Sequence, residues 1–118
     1  MTDCLFCKLA SGEIPSKQIY EDDEVVAFHD IHPVAPVHFL IVPKVHIDSL
    51  AHALPRHQAL LGKMLLLAPQ LADEHGLADG FRTVINTGHA GGQTFFHLHV
   101  HVFGGNAMTP NLAEIKTQ

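Results

Sequence analysis

The sequence predicts an α+β domain with a mainly antiparallel sheet of roughly five strands, one long helix and one short helix. Three observations predict it. Short segments with strand-like composition are joined mostly by short loops. One segment, Leu54 to His75, carries apolar residues at helical spacing. Near the C-terminal end, His97-Leu98-His99-Val100-His101-Val102-Phe103 alternates with a period of two, which is the period of a strand. At 118 residues the chain has the size of one domain, spanning 1–118.

The elements follow in order. An amphipathic turn of helix covers Cys7 to Ser11 and ends at Gly12. Glu13-Ile14-Pro15 connects it to a strand over Gln18 to Tyr20, and Glu21-Asp22-Asp23-Glu24 is a solvated turn. Val25 to His29 is the second strand. Ile31 to Val37 contains Pro33 and Pro36 and reads as an irregular loop. His38 to Val42 is the third strand, closed by Pro43. The main helix carries Leu54, Leu60, Leu61, Met64, Leu65, Leu67 and Leu71 at helical spacing, with Gly76 at its C-terminal cap and a kink expected at Pro69. Arg82 to Asn86 is a fourth strand, Thr87 to Gly92 a glycine-rich loop, and Phe95 to Phe103 a long last strand ended by Gly104-Gly105.

Composition narrows the function. The formal charge is −5 and there is no block of Lys or Arg, which argues against a nucleic-acid groove or an anionic membrane surface. Backbone amides and imidazoles still suffice to hold one phosphate. No apolar run reaches the length of a membrane span, and no signal peptide is evident, so the expectation is a cytoplasmic protein. In that reducing setting two cysteines favour metal or redox chemistry over a structural disulfide.

The alternating histidines carry the chemistry. In a strand all three imidazoles project from one face, while Leu98, Val100 and Val102 anchor the other face in a core. Imidazoles can attack, move protons or bind metal near neutral pH. Just upstream, Gly91-Gly92-Gln93-Thr94 offers close backbone approach and a concave set of donors for phosphate oxygens. An imidazole could attack a phosphorus held there and form a labile P–N bond, splitting one hard step into two. A neighbouring imidazole would orient the nucleophile or stabilise charge.

His97 to Phe103 also matches the signature of the histidine-triad (HIT) proteins. Glu13-Ile14-Pro15, Phe28-His29-Asp30-Ile31, Ala35-Pro36-Val37-His38, Val42-Pro43-Lys44 and Gly91-Gly92-Gln93-Thr94 resemble the Hint branch of that family, in the right order over nearly the whole chain. The resemblance implies a HIT-like fold whose sheet continues across a homodimer. It also implies hydrolysis of the P–N bond of nucleoside 5′-phosphoramidates, releasing a purine nucleoside monophosphate, with no organic cofactor. By position, His99 would be the nucleophile, His101 would contact the phosphate, and His38 would orient the site or move a proton. Gln93 and Thr94 would line the phosphate and leaving-group end, with Asn86 and Gly92 also near the phosphate. Asp30 would accept from the ribose hydroxyls. Leu5, Phe6, Leu9, Ile14, Phe28, Ile31 and Leu40 would form an apolar slot for the base. Hint proteins commonly carry Ser where this chain has Thr94, and Thr resembles the dinucleoside-polyphosphate-cleaving Fhit branch there.

Cys4-Leu5-Phe6-Cys7 leaves three readings open: a redox pair, a disulfide, or half of a zinc knuckle. No strand can precede Cys4, which disfavours the redox fold. The segment resembles bacterial HIT proteins with an N-terminal Cys-x2-Cys, which implies one structural zinc per chain on Cys4, Cys7, His46 and His97. The other histidines, His29, His32, His52, His57, His75 and His89, read as surface or locally bonded residues. Met108, Pro110 and Leu112 are candidates to influence substrate choice from the C-terminal tail. Other functions compete: dinucleoside polyphosphate cleavage by the same nucleophile, a nucleotide-binding interaction module, or a three-histidine metal centre of His97, His99 and His101.

Overall fold

The computed structural model describes residues 4–105. Met108, Pro110 and Leu112 lie outside the described residues. The elements are α1 (Leu5–Ser11), β1 (Gln18–Glu21), β2 (Val25–His29), β3 (Val37–Pro43), α2 (Gln58–Glu74), β4 (Arg82–Val84) and β5 (Val100–Gly104), with short 3₁₀ turns at Leu50–His52, Pro55–His57 and His89–Gly91. The five strands form one sheet in the order β1-β2-β3-β5-β4. Every neighbouring pair is antiparallel.

Alternation along the strands divides the sheet into two faces. Val25, Ala27, Phe39, Ile41, Val100 and Val102 face α2 and form the main core with Leu60, Met64, Leu67, Ala68, Leu71 and Ala72. Those helix positions repeat at the spacing of one helical stripe. Met64 and Leu71 are almost fully enclosed, and each such side chain contributes about 1.5–3 kcal/mol of hydrophobic stabilisation. Val26, Phe28, Leu40 and Val42 face the other way, where α1 covers them with Phe6 and Ala10. The turn between β1 and β2 is an Asx turn. Asp22 Oδ1 accepts from the amides of Glu24 and Val25, and its other oxygen takes the Tyr20 hydroxyl and Lys63 of α2.

Several expectations need correction. Helix α1 begins at Leu5 rather than Cys7, because the Cys4 sulfur caps it by accepting from the Cys7 amide. Helix α2 begins at Gln58 rather than Leu54; two 3₁₀ turns precede it, and His57 Nδ1 accepts from the Leu54 amide. Leu54 and Leu65 are not core: both are exposed, and Leu66 beside them is 73% exposed. The last strand starts at Val100, not Phe95, and β4 ends at Val84, short of Asn86. Beyond the Ile41–Val100 pair the ladder runs towards Pro43, which has no N–H to offer, and the Leu98 amide bonds instead to the Ile47 carbonyl.

Gly76 does cap α2, in the left-handed conformation at φ 83°. Its amide bonds to Asp73 O and the Leu77 amide to Ala72 O, the paired bonds of a Schellman end. The helix runs through Pro69 without interruption.

Candidate active site and zinc site

The alternation read from the sequence survives the shortening of β5. Leu98, Val100 and Val102 enter the core beneath α2. His97, His99 and His101 are all buried on the opposite side. The ring of Phe6 stands edge-on to His99 at 4.8 Å and also touches His97. His99 and His101 have ring centroids 5.0 Å apart.

For neutral rings, the hydrogen-bond partners assign the protons. His38 Nδ1 accepts from the Val34 amide, so its proton resides on Nε2. That Nε2 faces His101 Nδ1 at 3.0 Å and Asp30 Oδ2 at 3.3 Å. His101 therefore accepts at Nδ1 and carries its own proton on Nε2, a donor with no hydrogen-bond partner among the described residues. Burial, with smaller contributions from His99 and His38, pushes the His101 pKa down to about 3, so the ring is neutral at pH 7. Burial also lowers His38, opposed by the Asp30 carboxylate. His99 Nδ1 donates to the His97 carbonyl at 2.7 Å, which leaves the lone pair on Nε2.

The glycine-rich loop joins β4 to the triad segment. Asn86 Nδ2 is buried and has no hydrogen-bond partner among the described residues. Gly92 approaches Asn86 closely enough that an added Cβ would meet its amide at 3.9 Å. Thr94 is exposed. Gln93 has side-chain partners within the protein. It is 1% exposed, and its amide group accepts from the Gly88 amide and donates to Asp48 O and Phe95 O. Its side chain thus ties the loop to residues 48 and 95.

Leu5, Phe6, Leu9, Ile14, Phe28, Asp30, Ile31 and Leu40 all line one cavity of about 280 Å³. The structure thus gathers every apolar residue expected in the slot, with Ile31 at its exposed mouth. Residues the sequence did not single out complete it: Pro15, Ser16, Lys17, His29, His32 and Phe95. Phe95 stacks on Phe6 with centroids 5.7 Å apart and planes 24° from parallel. Asp30 is buried where the slot meets the histidines, with Oδ1 accepting from the His32 amide.

A second cluster sits at the other end of the triad. Cys4 Sγ is 3.2 Å from His97 Nδ1, and Cys7 Sγ is 3.3 Å from His46 Nδ1 and 3.4 Å from His97 Nδ1. Around one tetrahedral zinc, N and S ligand atoms stand roughly 3.3–3.8 Å apart, so the donor set fits. Both imidazoles turn Nδ1 inward while Nε2 is held from outside, His46 by Asp48 at 2.6 Å and His97 by the Pro43 carbonyl at 2.8 Å. Burial and the neighbouring Cys4 push the Cys7 thiol up to about 11; a bound cation reverses that preference and makes it a thiolate ligand. Four protein donors close the site, so the metal it holds is structural. His97 belongs with the cysteines. Among the described residues, His97, His99 and His101 do not converge as one ligand set. The remaining histidines make local contacts, His52 with Ser49, His75 with Leu71 O and with the His29 ring, and His89 with the Phe96 ring.

Comparison with known proteins agrees with this geometry. A family model described as scavenger mRNA decapping enzyme C-term binding matches residues 3–116. Protein HitA of Neisseria gonorrhoeae is 60% identical over 104 residues, covering 88% of this chain and 97% of that protein. The 14 kDa zinc-binding protein of Zea mays is 48% identical over 106 residues, covering 88% of this chain and 83% of its own. A HIT family hydrolase from Legionella pneumophila has a solved structure with TM-score 0.88 and 44% identity, covering 91% of this chain and 96% of that one. A five-stranded antiparallel sheet with a buried histidine row on one face defines the class. The chain belongs to the histidine-triad (HIT) family.

Proposed function

We propose that the protein is a nucleotide-binding hydrolase that cleaves the P–N bond of purine nucleoside 5′-phosphoramidates through a nucleotidyl intermediate on His99. One observation carries the reading. The proposed nucleophile, His99, packs against Phe6 of the apolar slot, and two buried donors, His101 Nε2 and Asn86 Nδ2, have no hydrogen-bond partner among the described residues. The Legionella relative's description as a hydrolase is in keeping with it.

The slot takes the base, and Asp30 accepts from the ribose hydroxyls. The phosphate lies against Asn86 and Gly92, and His101 Nε2–H donates to one of its oxygens as negative charge builds there. His99 Nε2 attacks phosphorus, and the bond from phosphorus to the amine nitrogen breaks. The amine takes a proton from solvent at the Thr94 end as it leaves. Water then attacks phosphorus and sheds a proton to solvent; the P–Nε2 bond breaks with its electron pair returning to the imidazole, which releases the nucleoside monophosphate and restores His99. His38 holds His101 in the donor tautomer. The closed zinc site supplies no step; it would tie α1 to the segment bearing the nucleophile.

We further propose that the sheet continues across a homodimer. Among the described residues the short edge strand β4 has a neighbour on one side only, and α2 exposes Leu65 and Leu66. The two free cysteines suit a reducing cytoplasm. No helix of the described residues is long and apolar enough to cross a membrane.

The test is to mix the protein with adenosine 5′-phosphoramidate, quench, and weigh the intact chain. A mass increase of one adenylyl group, absent in His99→Ala, supports the covalent route. Faster turnover of a dinucleoside polyphosphate than of the phosphoramidate would move the assignment to the polyphosphate-cleaving branch that Thr94 resembles.

A further inference from the structure

We propose that Asp48 and Gln93 are positioning residues that couple the zinc site to the glycine-rich loop, so that metal binding and loop order reinforce each other. The inference starts from where their bonds go. The segment His46-Ile47-Asp48 faces the zinc site on one side, through His46 Nδ1. On the other side it grips the loop and the triad segment twice. Asp48 O accepts from Gln93 Nε2 at 2.8 Å, and Ile47 O accepts from the Leu98 amide at 2.7 Å.

Gln93 extends the grip to both ends of the loop. Its oxygen accepts from the Gly88 amide at 2.9 Å and its nitrogen also donates to Phe95 O at 3.0 Å. Its own backbone amide closes onto Gly88 O. Both amide hydrogens are thereby used, and the residue is 1% exposed, so it is a staple between three backbone segments rather than a ligand for substrate. Asp48 is the hinge of this arrangement. Its carboxylate holds His46 Nε2 at 2.6 Å, the outer-shell bond that fixes a metal-ligating imidazole, and its carbonyl holds Gln93.

A metal that draws His46 towards Cys4, Cys7 and His97 therefore fixes the residue on which the loop hangs. Coupling of this kind is reciprocal: whatever loosens the loop weakens the metal by the same factor. That the loop receives a phosphate rests on the function proposed above. The coupling itself is tested without any nucleotide, so the two ideas fail separately.

The experiment is amide hydrogen exchange on the full chain, with zinc bound and after chelation. Removing zinc should speed exchange at the Gly88 and Gln93 amides at least tenfold while amides of β3 stay protected. Equal rates with and without zinc, or loss of protection in β3 to the same degree, would overturn the proposal. Competition with a chromophoric chelator gives the reciprocal reading. Asp48→Ala removes a half-exposed side chain and keeps the backbone carbonyl, and should weaken zinc binding about 10–100-fold. It should also speed Gly88 and Gln93 exchange at saturating zinc. Gln93→Ala should weaken zinc severalfold although it touches no ligand. Zinc affinity within twofold of the native chain in folded Asp48→Ala contradicts the account, whether or not Gln93→Ala folds.

Discussion

His99 donates its Nδ1 proton to the backbone carbonyl of His97 across 2.7 Å, while the His97 ring turns its own Nδ1 to within 3.4 Å of both cysteine sulfurs. One residue thus serves the zinc site with its side chain and fixes the tautomer of the proposed nucleophile with its backbone. The two sites share a segment, with the zinc ligand two residues from the proposed nucleophile.

Loss of the metal should therefore cost stability. A ligand that binds only the folded chain stabilises it by about 4 kcal/mol when free at 1,000 times its dissociation constant. Cys7→Ser should remove most of that, read as a lower urea midpoint that no longer responds to added zinc. A native chain whose midpoint is the same with zinc and with chelator would contradict a structural role for the metal.

Acid should destabilise the metal-free fold through His101. Burial and its histidine neighbours hold its pKa at about 3, against 6.5 for an unperturbed histidine. Between those values the unfolded chain binds the extra proton, so stability is full above about pH 6.5 and falls as the pH drops towards 3. The slope is about 1.4 kcal/mol per pH unit for one such group. Denaturation of chelator-treated protein between pH 7 and pH 4 should show a shallower slope in His101→Asn. Parallel slopes would place the acid sensitivity elsewhere.

Two aromatic residues of the slot should behave differently. Phe6 is buried and touches Phe28, Phe95, His97 and His99. Phe6→Ala should cost about 3–5 kcal/mol and lower kcat through the lost contact with His99. Phe95 is 39% exposed. Phe95→Ala should leave stability within about 1 kcal/mol and raise KM for a nucleotide substrate more than it lowers kcat. An unchanged KM would remove Phe95 from the slot.

Gly92 has φ 88°, and an added Cβ would meet only Asn86, at 3.9 Å. Gly92→Ala should then cost about 1–2 kcal/mol from the backbone alone, because 3.9 Å is ordinary van der Waals contact and leaves Asn86 in place. A lower denaturation midpoint with an unchanged chemical shift of the Asn86 side-chain amide checks this.

Much of this was legible in the sequence, for physical reasons. Strict alternation from His97 to Val102 reported a buried face and a core face, and side-chain direction persists even where the ladder has ended. The apolar slot was legible residue by residue through resemblance to the HIT family. Periodicity alone does not distinguish Leu40 in the slot from Leu65 on the surface. What stayed hidden depends on bonds that only the folded chain makes. The start of β5 was missed because it depends on Pro43 of another strand, which has no N–H where the ladder would continue. Cys4 as a helix cap needed the sulfur's position. The internal duty of Gln93 and the hold of Asp48 on His46 join residues 45 and 2 positions apart, and neither pairing has a local sequence signal.

The most direct test of the central claim is release of AMP from adenosine 5′-phosphoramidate by the zinc-loaded native protein and by His99→Ala. The account predicts turnover by the native chain and a loss of several orders of magnitude in the variant, with zinc content and folding unchanged. Equal rates in the two proteins, or no turnover by a native chain that binds AMP, would contradict it.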